Sequence, residues 1–238
     1  MKNKKNVMVV TGASSGVGKA ISLYFSSRGY SVCALARSKD KLEALEKESK
    51  GNVRAYPVDV SNSEQVIKIF EKIVADFTQI DVLINNAGIV KIGTYWEQSI
   101  EEIDQMVDVN LKGTMYCTHA ALNLAMIPRR SGRIINMSSV AGIRTNSRAT
   151  VYQASKHGQV GFGYSIAEAL IPYNILVTTL CPGGIDTPLW KGDSIPDGIE
   201  SEKFMKPDEL SETIEFVLGR PVTTLFKQMM FFPTCDWN

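Results

Sequence analysis

Histidine and cysteine are scarce in this chain of 238 residues, and the few present are scattered. His119 and His157 are the only two histidines, and the four cysteines, Cys33, Cys117, Cys181 and Cys235, have no metal-ligand spacing. A zinc or other metal site is therefore not expected, and the cysteine usage fits a reduced, cytoplasmic protein. Long apolar runs are absent as well. The first, Val7 to Val10, is too short for a signal-peptide core, and nothing approaches the ~18 to 20 residues of a membrane span, so no membrane partner is expected. Neither sign of charge dominates. With 26 basic against 25 acidic residues there is no general attraction to nucleic acid, and Lys2 to Lys5 reads as a solvated tip. Fixed-period repeats and low-complexity linkers are also missing, so residues 1–238 are expected to form a single domain, for which 44% hydrophobic residues supply a core.

What is present is an alternation of short apolar runs with longer amphipathic ones, the pattern of a parallel sheet covered by helices. Strands are expected near Val7 to Val10, Ser31 to Ala36, Val53 to Pro57, Asp81 to Ile84, Arg133 to Met137, Ile175 to Leu180 and Lys227 to Phe232. Between them, Val17, Ala20, Ile21, Tyr24 and Phe25 form one helical face, and Val66, Ile69, Phe70 and Ile73 form another. A last helix is expected over Pro207 to Leu218, with proline near its start and Gly219 past its end. The fold class is α/β: a Rossmann-type, doubly wound parallel sheet of about seven strands with helices on both faces.

Open parallel sheets bind ligands outside the carboxyl ends of their strands, and the unusual clusters of this chain lie there. They are Thr11 to Gly18, Ala36-Arg37, Asp59-Val60, Asn85 to Gly88, Ser138-Ser139 and Cys181 to Gly183. The run Gly12-Ala13-Ser14-Ser15-Gly16-Val17-Gly18 permits a tight strand-to-helix turn and close approach of a pyrophosphate to amides at a helix N-terminus. Its spacing differs from GxGxxG. Asp59 has two readings, a cap for the following segment or a contact to adenine.

Tyr152 and Lys156 stand four apart on an expected helix, so they share one face. A cation fixed beside a phenol is an acid/base device, because the unperturbed phenol titrates near 10 and general acid chemistry needs a group tuned toward the working pH. The 8 tyrosines and 17 lysines would yield about 0.6 such spacings by chance, so the pair counts through its context. In that context the chain resembles the short-chain dehydrogenase/reductases of the single-domain, carbonyl-reducing type, from Val7 to about Thr187. The motifs Thr11-Gly12-xxx-Gly16-x-Gly18, Asn85-Asn86-Ala87-Gly88, Asn110, Ser139, Tyr152-xxx-Lys156 and Pro182-Gly183-xxx-Thr187 follow one another in that family's order. The resemblance implies a nicotinamide cofactor, Tyr152 as proton donor or acceptor, and Lys156 bonded to the nicotinamide ribose. It also implies that Ser139 orients the carbonyl and that Asn110 holds a relay water. Gly12, Ser14 to Gly18, Arg37, Asp59, Val60, Asn86 to Gly88, Pro182, Gly183, Ile185 and Thr187 are its expected cofactor contacts. Of the adjacent serines, the family spacing picks Ser139, leaving Ser138 structural. Cys181 reads as an inert buried thiol, and His157 points away from Lys156 because adjacent helical residues do not share a face.

At the end of the second strand an acid would bond a ribose 2′-hydroxyl, whereas this chain has Ala36 and Arg37, an arrangement suited to a 2′-phosphate. The expected cofactor is therefore NADP(H), preferred over NAD(H). The expected activity is reversible reduction of a small carbonyl compound to its alcohol. A catalytically idle nucleotide-binding regulator, an NAD-dependent alcohol dehydrogenase and an epimerase are the alternatives; intact Ser139, Tyr152 and Lys156 weigh against the first, and the short chain against the last. Residues 187–206 mix chain breakers with large apolar residues, as a substrate lid would. Leu189, Trp190 and Ile143 suggest a partly apolar pocket with Lys91, Arg144 and Arg148 at its rim. Gly158, Gly161 and Gly163 on the Tyr152 helix point to close helix packing, here assigned to a homodimer or homotetramer, with packing on the chain's own sheet as the competing account.

Overall fold

The seven strands line up as β3-β2-β1-β4-β5-β6-β7, all parallel, in a computed structural model that describes residues 5–145, 147–190 and 201–235. They are β1 (Val7–Thr11), β2 (Ser31–Ala36), β3 (Val53–Pro57), β4 (Val82–Asn85), β5 (Gly132–Met137), β6 (Ile175–Pro182) and β7 (Gln228–Phe231). Each expected strand is present, with ends shifted by at most two residues. The run Val7-Met8-Val9-Val10 explains how both faces are covered: Val7 and Val9 join one core, Met8 and Val10 the other, as the two-residue period of a strand dictates. Phe25 and Ile21 from α1 (Gly16–Ser27) and Leu42 and Leu45 from α2 (Lys39–Glu48) fill one layer, together with Ile214 from α8 (Pro207–Leu218). Phe70 and Ile73 from α3 (Ser63–Phe77), with Cys117 and Ala121 from α5 (Gly113–Ala121), which leads toward the short α6 (Ile127–Arg129), fill the other.

The strand order reverses between β1 and β4, and chemistry concentrates at that switch point. Three helical features serve it. Helix α1 begins directly after β1. The segment from α4 (Ile100–Val107) into α5 passes through one turn of π-helix, Asp108–Lys112, which turns Asn110 fully inward; such turns recur at functional sites because the extra residue re-aims a side chain. Helix α7 (Thr150–Leu170) then carries Tyr152 and Lys156 across the end of β5.

The α7 glycines divide between the two accounts given for them. A Cβ on Gly163 would lie 2.0 Å from Thr179 Oγ1 on β6, and one on Gly158 would lie 2.9 Å from Leu111. Both glycines thus let α7 settle on its own chain, which is the competing account; Gly161 alone faces open space. Opposite outcomes are expected on substitution. Gly161→Ala should stabilise by up to ~1 kcal/mol through helix propensity, and Gly163→Ala should destabilise by ~1 to 3 kcal/mol through overpacking. Urea unfolding of the two variants measures both, and equal effects would contradict this packing.

No described helix is long and apolar enough to cross a membrane. Residues 191–200, most of the stretch read as a lid, lie outside the described residues, as do Lys2 and Lys4. The flanks of that stretch are described: Pro188–Trp190 and Ser201–Lys203 are short 3-10 turns, and Ile185 pairs with Met205 in a parallel bridge.

Candidate active site

Thr11 builds the floor of the site. Its hydroxyl accepts from the Asn86 and Ala87 amides, each at 2.9 Å, while Asn86 Nδ2 donates to the Thr11 carbonyl at 2.9 Å. The turn after β4 is thereby stapled against the glycine run after β1. The closeness excludes side chains: a Cβ on Gly18 would lie 2.3 Å from the Gly12 carbonyl oxygen, and Gly12 and Gly16 sit at φ of +69° and +51°. Helix α1 starts here with no acid in its first turn and no hydrogen bond from the side chain of its cap, Ser15. Its first amides and the positive end of its dipole therefore face a cleft suited to an anion.

That cleft, about 410 Å³, runs from Ala36, Arg37 and Ser38 past Asp59 and Val60 to the glycine run, and is lined by Gly12, Ser14 to Val17, Asn86 to Gly88 and Thr187. A second cavity of about 110 Å³ contains Ser139, Tyr152 and Lys156 together with Pro182, Gly183 and Ile185. The two share Val17, Asn86, Gly88, Ile89, Thr187 and Leu189, so they form one elongated groove. Its length, its glycine cradle and its anion-suited helix end fit a dinucleotide. The expected contact residues thus meet in one place; Gly18 joins through packing against Gly12 rather than by lining the groove. Asp59 Oδ1 accepts from the Ser61 amide and hydroxyl, so it closes a turn while also lining the groove. Lys39 pairs with Glu43 at 3.7 Å, which reduces the field it adds near Arg37.

Ser139 caps the short turn after β5, its Oγ accepting from the Ala141 amide at 3.1 Å, and it hydrogen-bonds Tyr152. Burial pushes the Tyr152 phenol up to about 12, with the Ser139 hydrogen bond acting downward. The phenol is accordingly protonated at neutral pH and able to donate. Lys156 Nζ lies 5.7 Å from the Tyr152 ring centre and donates to the Met137 carbonyl and to Gln159 Oε1, each at 2.8 Å. Burial draws its ammonium down to about 7, against the upward pull of Cys181. Ser138, in the neighbouring position, bonds the Lys156 carbonyl at 3.1 Å and so has a structural partner. His157 bonds the Gln153 carbonyl and lines neither cavity, and the Cys181 thiol is buried with its pKa raised by that burial.

A depressed lysine pKa has a stability consequence. Between about pH 7 and the unfolded value near 10.4, the unfolded chain holds more protons than the folded one, so this residue's contribution to stability rises with pH and is lost as pH falls. Lys156→Met should therefore cost the unliganded protein more at pH 9 than at pH 7, by roughly 1 to 2 kcal/mol. Urea unfolding at the two pH values checks this, and a pH-independent cost would contradict it.

Asn110 does more than sequence spacing disclosed. Its Oδ1 accepts from the Ile89 amide at 2.8 Å and its Nδ2 donates to the Ile89 carbonyl at 2.9 Å and to Ser155 Oγ at 3.0 Å. It is a fully buried clamp holding the chain after Gly88 against α7. The cations expected at a pocket rim line neither cavity: the Arg144 guanidinium stacks over Phe232 at 4.1 Å, Lys91 pairs with Glu102 at 3.7 Å, and the Arg148 carbonyl accepts from Gly93. Of the apolar candidates Leu189 lines both cavities, whereas Ile143 lines neither and is 40% exposed.

A family model described as short chain dehydrogenase matches residues 6–196. This chain belongs to that family. A 3-oxoacyl-acyl-carrier-protein reductase of Thermotoga maritima is 36% identical over 228 residues, covering 91% of this chain and 92% of its own. An uncharacterized oxidoreductase of Staphylococcus saprophyticus is 34% identical over 219 residues, covering 90% and 92%. Among solved structures, the closed form of a serine dehydrogenase complexed with NADP+ superposes with a TM-score of 0.90 at 27% identity, covering 98% of this chain and 96% of that one. This short chain dehydrogenase is an oxidoreductase on a single Rossmann-like domain.

Proposed function

We propose that this protein is an NADPH-dependent reductase that interconverts a small carbonyl compound and its alcohol. The observation that carries the reading is the cluster of half-buried Ser139 and Tyr152 around the buried Lys156, which opens into the same groove as the glycine run. The bound dinucleotide supplies hydride to the carbonyl carbon. Ser139 and Tyr152 donate hydrogen bonds to the carbonyl oxygen, and these strengthen as negative charge develops there. The Tyr152 hydroxyl then gives up its proton. Lys156, charged, favours the phenolate left behind and holds the ribose, while Asn110 fixes the backbone facing it. Gly12, Ser14 to Val17 and Thr187 receive the pyrophosphate and nicotinamide side, and Arg37, Asp59 and Val60 the adenosine side.

Residues 187–206 act as the substrate lid in this reading, supported by Leu189 in the groove. The single catalytic domain works in the cytoplasm as a homodimer or homotetramer, the oligomer supported by exposed Gly161 and Tyr164 on α7. A panel of ketones, aldehydes and 3-oxo esters, followed by loss of NADPH absorbance with wild type and Tyr152→Phe, tests the function. Oxidation of NADPH that depends on both carbonyl and Tyr152 is expected; none with any carbonyl class would contradict it.

A further inference from the structure

Gln159 is a glutamine with no exposed surface, seven residues beyond Tyr152 on the inward face of α7. The reaction described above leaves it without a role. Its Oε1 accepts from Lys156 Nζ at 2.8 Å, and its Nε2 donates to Thr114 Oγ1 at 2.6 Å. The amide orientation is dictated by its partners, since the reverse would press an NH2 group against an ammonium. Thr114 Oγ1 in turn donates to the Asn110 carbonyl at 2.8 Å, and Asn110 Nδ2 donates to Ser155 Oγ, which donates to the Tyr152 carbonyl at 2.7 Å. The path runs from Lys156 through four buried residues, Gln159, Thr114, Asn110 and Ser155, and back to the turn of α7 that bears Tyr152.

We infer that Gln159 is a positioning residue, which holds the Lys156 ammonium in the groove and ties it to Thr114 and Asn110. The inference rests on the proposed role of Lys156. An ammonium has three N–H donors; Gln159 and the Met137 carbonyl take two, which points the third toward the groove that Lys156 lines. Gln159 also supplies the only side-chain acceptor that Lys156 has among the described residues. Without it, a buried cation would retain one main-chain partner and would lose its proton more readily. The groups facing Lys156 from the surrounding elements are the Tyr152 phenol on α7, the Cys181 thiol on β6, the Met137 carbonyl on β5, and the neutral Thr114 and Asn110 beyond Gln159. No carboxylate stands among them to replace the lost acceptor.

Two substitutions of similar volume separate holding from packing. Gln159→Met removes the acceptor, whereas Gln159→Glu keeps an oxygen against Lys156 and adds charge. The first readout is the titration of Lys156 in the unliganded protein, by NMR of lysine labelled with carbon-13 at Cε, the signal being assigned by its loss in Lys156→Arg. The midpoint is expected to fall by about one pH unit in Gln159→Met and to rise by about one unit in Gln159→Glu. The second readout is the pH profile of kcat/KM. Gln159→Met should lose about tenfold or more at neutral pH and shift its alkaline limb downward, and Gln159→Glu should recover most of that loss. An unchanged Lys156 midpoint in the variants would overturn the inference, as would equal losses in both with no displaced limb. Should Gln159→Met fail to fold, the rise in Gln159→Glu decides alone. Because the NMR titration needs no substrate, failure of the reductase reading and failure of this one are told apart.

Discussion

Tyr152→Phe is expected to lower kcat/KM for carbonyl reduction by about 10²- to 10⁴-fold while NADPH binding changes little. Only one oxygen is removed, and it is the one positioned to give a proton. The phenol is held up to about 12 by burial, so it is the protonated form that faces substrate across the working range. Ser139 stands beside it but already accepts from the Ala141 amide, and its hydroxyl is directed at the Pro182 carbonyl at 3.5 Å. Lys156 is set back from the phenol, its Nζ 5.7 Å from the Tyr152 ring centre and two of its three N–H groups held by Met137 and Gln159. Steady-state kinetics paired with a fluorescence titration of NADPH measure both halves of the prediction. Retention of more than about a tenth of wild-type turnover would remove Tyr152 from the acid role.

The second large effect concerns cofactor choice. Wild type should favour NADPH over NADH by tens to hundreds of fold in kcat/KM, and Arg37→Ala should lose most of that preference. In the proposed reading helix α1 and the glycine run would treat the two dinucleotides alike, because they would meet the pyrophosphate that both share. Discrimination falls to the end of β2, where Ala36 is nearly buried and Arg37 is exposed and lines the groove. A planar, permanently charged guanidinium can bond two oxygens of a 2′-phosphate. Such charge-assisted bonds contribute roughly 1.5 to 3 kcal/mol, and each 1.4 kcal/mol is about tenfold. Asp59, the nearby acid lining the groove, is engaged with Ser61 and so does not replace the missing strand-end carboxylate. Specificity constants for both cofactors on wild type and Arg37→Ala check the preference, and an NADH preference in wild type, or no NADPH loss in the variant, would contradict it.

The strands and the strand-end clusters were legible because they are local. A run such as Val7 to Val10 with apolar residues on both faces has few uses other than a covered strand, and Gly12 and Gly16 stand where a left-handed turn must follow it. Contacts between distant segments were not legible. Nothing in the spacing of Asn110 discloses that it grips both backbone groups of Ile89, since that depends on a π-helical turn at Asp108–Lys112. The meaning of Gly163 waited on Thr179 of β6, and that of Thr11 on the turn after β4. Gln159 offered one signal: a polar residue on the same helical face as Tyr152 and Lys156. Contacts of the segment after β7 are likewise visible only in three dimensions, where Phe232 lies under Arg144 and Cys235 Sγ meets the Lys203 carbonyl at 3.4 Å.

The central claim is that hydride passes in this groove from NADPH to a carbonyl carbon with Tyr152 completing the alcohol. The most direct measurement uses NADPH carrying deuterium at nicotinamide C4 on the transferred side, with mass spectrometry of the alcohol formed from a reactive carbonyl compound. One deuterium per molecule on the carbinol carbon is expected with wild type, and almost no deuterated alcohol with Tyr152→Phe over the same period. NADPH oxidation that leaves the alcohol unlabelled from both C4 positions, or labelling at the wild-type rate in Tyr152→Phe, would contradict the account.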